Sequence, residues 1–229
     1  RYENDDRGRT LSEGGARQLA DELQHLPKSH PDRFARLLSK LPPDVNPTYM
    51  THLLWGLAEA EGISIDDVKM SIRVAHQSIG SNFGCEIARL IEKNPQVLAD
   101  SEIFGVLAWY IENGSAIEKD DVDQLNTERE IIKIEDLLSQ GGSLQLRGIN
   151  GARGAAAEAM GYALWHVPEI VENAWTIIGR CASREHLVSV RCCLMKAALP
   201  LFNFDRTRCA KLVDLIARRP HDRNAPKIR

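Results

Sequence analysis

Glycines 148, 151 and 154, flanked by Arg147 and Arg153, are the nearest this chain comes to a phosphate-binding loop. A glycine-rich turn at a helix start presents backbone N–H groups to an anion, and two guanidinium groups would add charge. The spacing G-x-x-G-x-x-G is neither a Walker loop nor a dinucleotide fingerprint, because no Lys-Ser or Lys-Thr follows and no strand-like run precedes it. The same residues also suit close helix packing, since small side chains continue through Ala155, Ala156, Ala157 and Ala159. Adjacent carboxylates such as Asp66-Asp67 and Asp120-Asp121 point in different directions on a helix. Helix N-terminal charge or solvation explains them better than acid–base work. The scattered histidines form no H-E-x-x-H pattern.

Cys85, Cys181, Cys192, Cys193 and Cys209 are odd in number and include no C-x-x-C pair, which argues against a zinc site. In a reducing cytosol such residues serve as small buried hydrophobes. We therefore expect no metal, no cofactor and no catalytic group within this chain, and a cytoplasmic location. Trp55, Trp109, Trp165 and Trp175 would make a base-stacking platform if interleaved with cations, as in helical-repeat DNA glycosylases. Three of them lie in apolar helical stripes, where tryptophan is core. Trp165, next to His166 at a helix end, is the one expected to be exposed.

These residues sit in a chain that reads as helix throughout. Pro31, Asn46-Pro47, Ser64 with Asp67, Ser101 and Asp205 mark helix starts, and Ser12 offers one more. Apolar residues recur at helical spacing after each, for example Phe34, Leu37, Leu38 and Leu41, or Met50, Leu53, Leu54 and Leu57. A helix is predicted from about Asn82 to Lys93, a short one over Ile131 to Leu138, and one from Pro168 that stops at Gly179. Ser183 is the expected cap of the helix beyond. Short connections favour antiparallel pairs. Residues 1–112 read as helical hairpins opened by a loose polar arm, 113–133 as an acidic linker or loop, 134–219 as repeats, and 220–229 as a basic tail.

The repeats rest on an internal copy. Shifting the chain by about 38 residues lays Arg153 on Arg191, Ala155 on Cys193, Ala156 on Leu194, Glu158 on Lys196 and Ala159 on Ala197, a period typical of stacked helical arrays. Arg153 and Arg191 each stand near a helix start, where a planar fork ties down loop carbonyls or an acidic neighbour; direct ligand contact is the alternative. The structural set is thus Arg153, Ala155, Ala156, Ala159, Arg191, Cys193 and Ala197.

With 43% hydrophobic and 27% charged residues over 229 positions, wholesale disorder is excluded, and a net charge of −3 gives no global pull toward nucleic acid. No apolar run approaches the roughly 20 residues of a membrane helix. The opening Arg1 predicts a fragment of a longer polypeptide. Charge is instead uneven: from Asp205 onward, Arg206, Arg208, Lys211, Arg218 and Arg219 head a run of bases. A docking surface for an acidic protein or a nucleic acid and a merely solvated last helix both fit that run. Candidate contact residues are Trp165, Arg206, Arg208, Lys211, Arg218 and Arg219.

The segment from Ala152-Arg153 to Gly161, and that from Val190-Arg191 to Leu199, resemble the second helix of HEAT-type repeats. That resemblance implies an all-α fold of antiparallel helical pairs stacked as a HEAT-like α-solenoid. The acidic residue that often precedes the Val-Arg pair is replaced by Asn150 and Val188. The phrase Arg147-Gly148-Ile149-Asn150-Gly151-Ala152-Arg153-Gly154-Ala155-Ala156 is similar to the C-terminal helical arrays of large bacterial NACHT-like NTPases, several of which serve in antiphage defence. The implied role is non-catalytic: a protein-interaction, sensor or regulatory scaffold. A nucleic-acid-binding HEAT-like protein is the competing reading.

Overall fold

The computed structural model describes residues 16–42, 44–78, 83–116, 145–146 and 148–218. Among them the secondary structure is entirely helical: ten α-helices, four short 3-10 turns and no strand. The helices are α1 (Ala16–His25), α2 (Pro31–Leu38), α3 (Pro47–Ala58), α4 (Ile65–Gln77) and α5 (Gly84–Lys93). There follow α6 (Ser101–Asn113), α7 (Ala152–Ala163), α8 (Val171–Arg184), α9 (Val188–Ala198) and α10 (Arg206–Ala217). The expected cap at Ser12 and the short helix at Ile131–Leu138 lie outside the described residues.

Local chemistry accounts for most starts. Proline opens α2 and α3, Asn46 accepts from the Thr48 N–H, Ser64 from the Asp67 N–H, and Asp205 from the Arg208 N–H. Three expectations need correction. Asp100, not Ser101, caps α6, accepting from the N–H groups of Glu102 and Ile103. The helix expected to stop at Gly179 begins as a 3-10 turn at Pro168–Ile170 and runs on to Arg184. A mid-helix glycine costs only about 1 kcal/mol, and continuing the helix buries Cys181 and Ala182. Ser183 lies inside that helix and donates to the Arg180 carbonyl, and the N-cap of the next helix is Leu187.

Helices pack on the next but one in the chain as well as on sequential neighbours, α6 on α7 most extensively among the latter. α1 packs on α3, α3 on α5, α5 on α7 and α7 on α9, while α2 packs on α4, α4 on α6, α6 on α8 and α8 on α10. Within the odd-numbered set, early residues meet early ones and late residues meet late ones. Asp21 of α1 approaches His52 of α3, and the Gln24 carbonyl, near the end of α1, meets Gly56 near the end of α3. Thr51 of α3 bonds Glu86 of α5, and Gly84 of α5 backs on Ala152 of α7. Glu158 of α7 then pairs with Lys196 of α9. These helices therefore run in the same direction.

Small residues permit the closest of these approaches. A Cβ placed on Gly161 of α7 would lie 2.6 Å from the Ala197 Cα of α9, and one on Gly114 would lie 2.9 Å from the Ala152 Cβ. The buried residues, from Phe34 through Ile111 and Ala152 to Ile216, form one continuous core. The acidic stretch at 113–133 thus does not separate two cores; its residues 117–133 lie outside the described set.

Candidate functional site

Arg153 enters from the first turn of α7 and reaches the far end of α8, where its Nη1 donates to the Glu185 Oε2 at 2.8 Å. Glu185 is the residue on which α8 ends, and it is almost fully buried. Its other carboxylate oxygen accepts from the N–H groups of His186 and Leu187, at 3.0 and 2.9 Å, just ahead of α9. These bonds fix the turn between α8 and α9, whose N-cap, Leu187, makes no side-chain cap bond. An acidic side chain there also suits the positive end of the α9 dipole.

Arg191 occupies the matching place on α9 and reaches the matching end of α10. Its Nη1 donates to the Glu185 carbonyl at 2.9 Å, and its Nη2 donates to the carbonyls of Leu215, Ile216 and Arg218. The last four carbonyls of a helix lack partners within it, and a buried guanidinium satisfies several at once. Glu185 joins the two forks, offering its side chain to one and its backbone to the other. Sequence reading missed Glu185, which stands 32 residues from Arg153 with no periodic signal to link them.

The remaining structural candidates cluster on α7 and α9. Ala156, Ala159, Cys193 and Ala197 are buried, and Ala155 is half-buried against the core. Burial raises the thiols of Cys85 to about 11 and Cys181 to about 12, and raises those of Cys193 and Cys209 as well. Such thiols stay protonated and unreactive; none of the five cysteines is in a disulfide.

The tryptophans divide differently from expectation. Trp175 is core, but Trp55 and Trp109, expected there, keep 36% and 37% of their surface exposed; Trp165 keeps 60%. Periodicity names the face a residue lies on, not whether neighbours are long enough to cover a large ring. Tyr162, Leu199, Phe202 and Phe204 are further exposed apolar side chains, and sequence reading did not single them out. A signal did exist for Leu199: the 38-residue shift lays it on Gly161, a bulky residue where the first copy has none.

The basic candidates also divide. Arg208 is held by Glu172 at 2.9 Å and lies over the Trp175 ring, 4.6 Å from its centroid. Arg218 is held by Asp214 at 2.7 Å. Arg206 lies over the Phe202 ring, 5.3 Å from its centroid. Among the described residues no ion pair engages Arg206 or Lys211, both exposed. Arg219 lies outside the described residues.

Two cavities bear on chemistry. One of about 280 Å³, between α2, α3 and α4, is lined by residues such as Leu38, Leu41, Val74 and Phe83, and none of its lining residues is ionisable. The other, about 80 Å³, lies among Glu112, Arg153, Arg180, Arg184 and Glu185, where carboxylates and guanidiniums already pair. No group of His, Cys, Asp and Glu among the described residues is arranged to hold a metal ion. No described helix is long and apolar enough to cross a membrane. In comparisons with known proteins the chain matches no family model, no curated protein and no solved structure.

Proposed function

We propose that this chain is a protein-recognition module with the architecture of a HEAT-like α-solenoid: antiparallel helical pairs stacked so that one layer carries the contact surface. The skipping order of helix contacts supports the stack, because each helix then serves as a spacer between two members of the other layer. Two arginine forks, each running from an odd-numbered helix to the end of the next even-numbered one, support the repeat. Glu185 takes the role of the acidic ladder residue that the sequence lacks at Asn150 and Val188.

One observation carries the recognition role. Trp55, Tyr162, Trp165 and Leu199 are exposed, and all stand at or just beyond the C-terminal ends of α3, α7 and α9. Helices running the same way bring these ends to one edge. Large apolar side chains gathered in this way mark a protein contact. The partner reads the surface, and no chemistry is required of the chain itself. The phrase from Arg147 to Ala156 supports a place within a larger bacterial regulatory or defence NTPase, where the array would act as sensor. Arg208 and Arg218 are already held by carboxylates, which favours a protein partner over nucleic acid.

A photoreactive benzophenone residue in place of Trp165 tests this reading, with the same residue in place of Thr176 on α8 as control. Discrete protein adducts at 165 and none at 176 are expected. Nucleic-acid adducts alone, or DNA retention falling steeply with salt and lost in Arg206→Glu with Lys211→Glu, would overturn it.

A further inference from the structure

α7 and α9 are copies in register, yet one face of each has a different fate. On α7 the face carrying Gly154, Glu158 and Gly161 is covered by α9: Gly154 backs on the Cys193 Sγ, Gly161 on the Ala197 backbone, and Glu158 pairs with Lys196 at 2.8 Å. The same positions on α9 are Cys192, Lys196 and Leu199, and among the described residues no further odd-numbered helix follows α9. Leu199 is 58% exposed, and Phe202 and Phe204, a few residues on, are each 47% exposed.

We infer that this open face docks an acidic amphipathic helix of a partner protein. The inference rests on the recognition role proposed above and extends that surface from Leu199, which both share, to Phe202 and Arg206. A helix is the fitting shape because the equivalent face one repeat earlier receives a helix. The acidic character follows from charge. Arg206 lies over Phe202, Lys211 is exposed on α10, and no ion pair among the described residues engages either. The nearby acids are committed, Glu158 to Lys196, Asp205 to the α10 cap and Asp214 to Arg218. Apolar residues at three- and four-residue spacing would lie on Leu199 and Phe202, with Glu or Asp beside them meeting Arg206.

Charge also argues against the occupant nearest to hand. The chain's own residues 219–229 carry Arg219, Arg223, Lys227 and Arg229 against Asp222 alone, and would be repelled.

The probe is a fluorescein-labelled 20-residue helical peptide with Leu at the i, i+3, i+4 and i+7 positions and Glu between them, titrated into the intact 229-residue chain by anisotropy. A twin with Lys for Glu is the control. Saturable binding of the acidic peptide alone is expected, weakened at least about tenfold by Phe202→Glu and by Arg206→Glu, and unchanged by Leu19→Glu at the opposite end. Circular dichroism of the variants shows that they remain folded. Equal binding of both peptides, or no effect of either α9–α10 substitution, overturns the inference. So does competition by duplex DNA that follows Arg206→Glu but not Phe202→Glu, which would mark a nucleic-acid surface. Concentration-dependent self-association abolished by Phe202→Glu would name a second copy as the occupant, and binding that appears only after removal of residues 219–229 would name the tail. Protein adducts at position 165 with no peptide binding at Phe202 would leave the recognition role standing and remove this inference alone.

Discussion

The odd-numbered and even-numbered helices solve the same packing problem by opposite means. α5, α7 and α9 meet through glycine and alanine, so that backbones almost touch and side-chain shape decides the fit. The even-numbered helices are tied by longer side chains. Lys69 and Arg73 of α4 pair with Asp100 and Glu102 at the start of α6, Arg180 of α8 with Glu112 of α6, and Arg208 of α10 with Glu172 of α8. Ion pairs thus recur along the even-numbered set, while in the odd-numbered set methyl groups nest beside pairs such as Glu158–Lys196 and Arg89–Glu59. The difference teaches where specificity resides: overpacking would break the odd-numbered layer, and salt would loosen the even-numbered one.

The largest effect is expected where the two layers join. Arg191→Met would leave the buried Ile216 carbonyl and the half-buried Leu215 carbonyl without their donor, at a cost of about 3 kcal/mol. Urea denaturation measures it, and a loss below 1 kcal/mol would show that those carbonyls find other partners. Within the odd-numbered layer, Ala156→Leu adds three heavy atoms at a site with no exposed surface. Overpacking of this kind costs about 1–3 kcal/mol. An unchanged melting temperature would break the comparison, because α7 would then have room that its neighbours are argued to fill.

A smaller effect concerns Glu86, buried between α3 and α5 where Thr51 donates to it. Burial raises its carboxyl above the ordinary value of 4.5, and the Thr51 hydrogen bond opposes this only in part. The folded chain therefore holds this proton at pH values where the unfolded chain has released it. Stability falls as pH rises from 4.5 through the raised value and stays lower above it. Glu86→Gln keeps an acceptor for Thr51 and removes the ionisable group. The variant should gain stability relative to the parent as pH rises through that window; a constant difference from pH 4 to 8 would show that Glu86 is not buried as described.

Parts of this were legible before any coordinates. Asn46, Ser64 and Asp205 announced helix starts, since a short polar side chain ahead of an apolar stripe has one effective use, to accept the first free N–H groups. Arginine near a helix start was legible as a fork, but its acceptors were not: Glu185 and the α10 carbonyls lie 32 and about 25 residues away along the chain. The skipping order of contacts was equally hidden, because periodicity within one helix says which face is apolar and not which helix covers it. Trp55 and Trp109 show the same limit. Both stand in apolar stripes, and both stay about one-third exposed.

The smallest expected effect tests the even-numbered layer. Arg208 and Glu172 are 45% and 76% exposed at the side chain, so water and salt screen their pairing. A double-mutant cycle of Arg208→Gln and Glu172→Gln should give a coupling below about 1 kcal/mol, falling toward zero in 1 M salt. Arg208 also covers Trp175, a ring-face contact worth about 0.5–1 kcal/mol where exposed, and less sensitive to salt than the ion pair. Arg208→Gln alone should therefore cost more at high salt than Glu172→Gln does. If the two single substitutions become equal there, the ring contact contributes nothing, and ion pairing alone joins α8 to α10 on the solvent side.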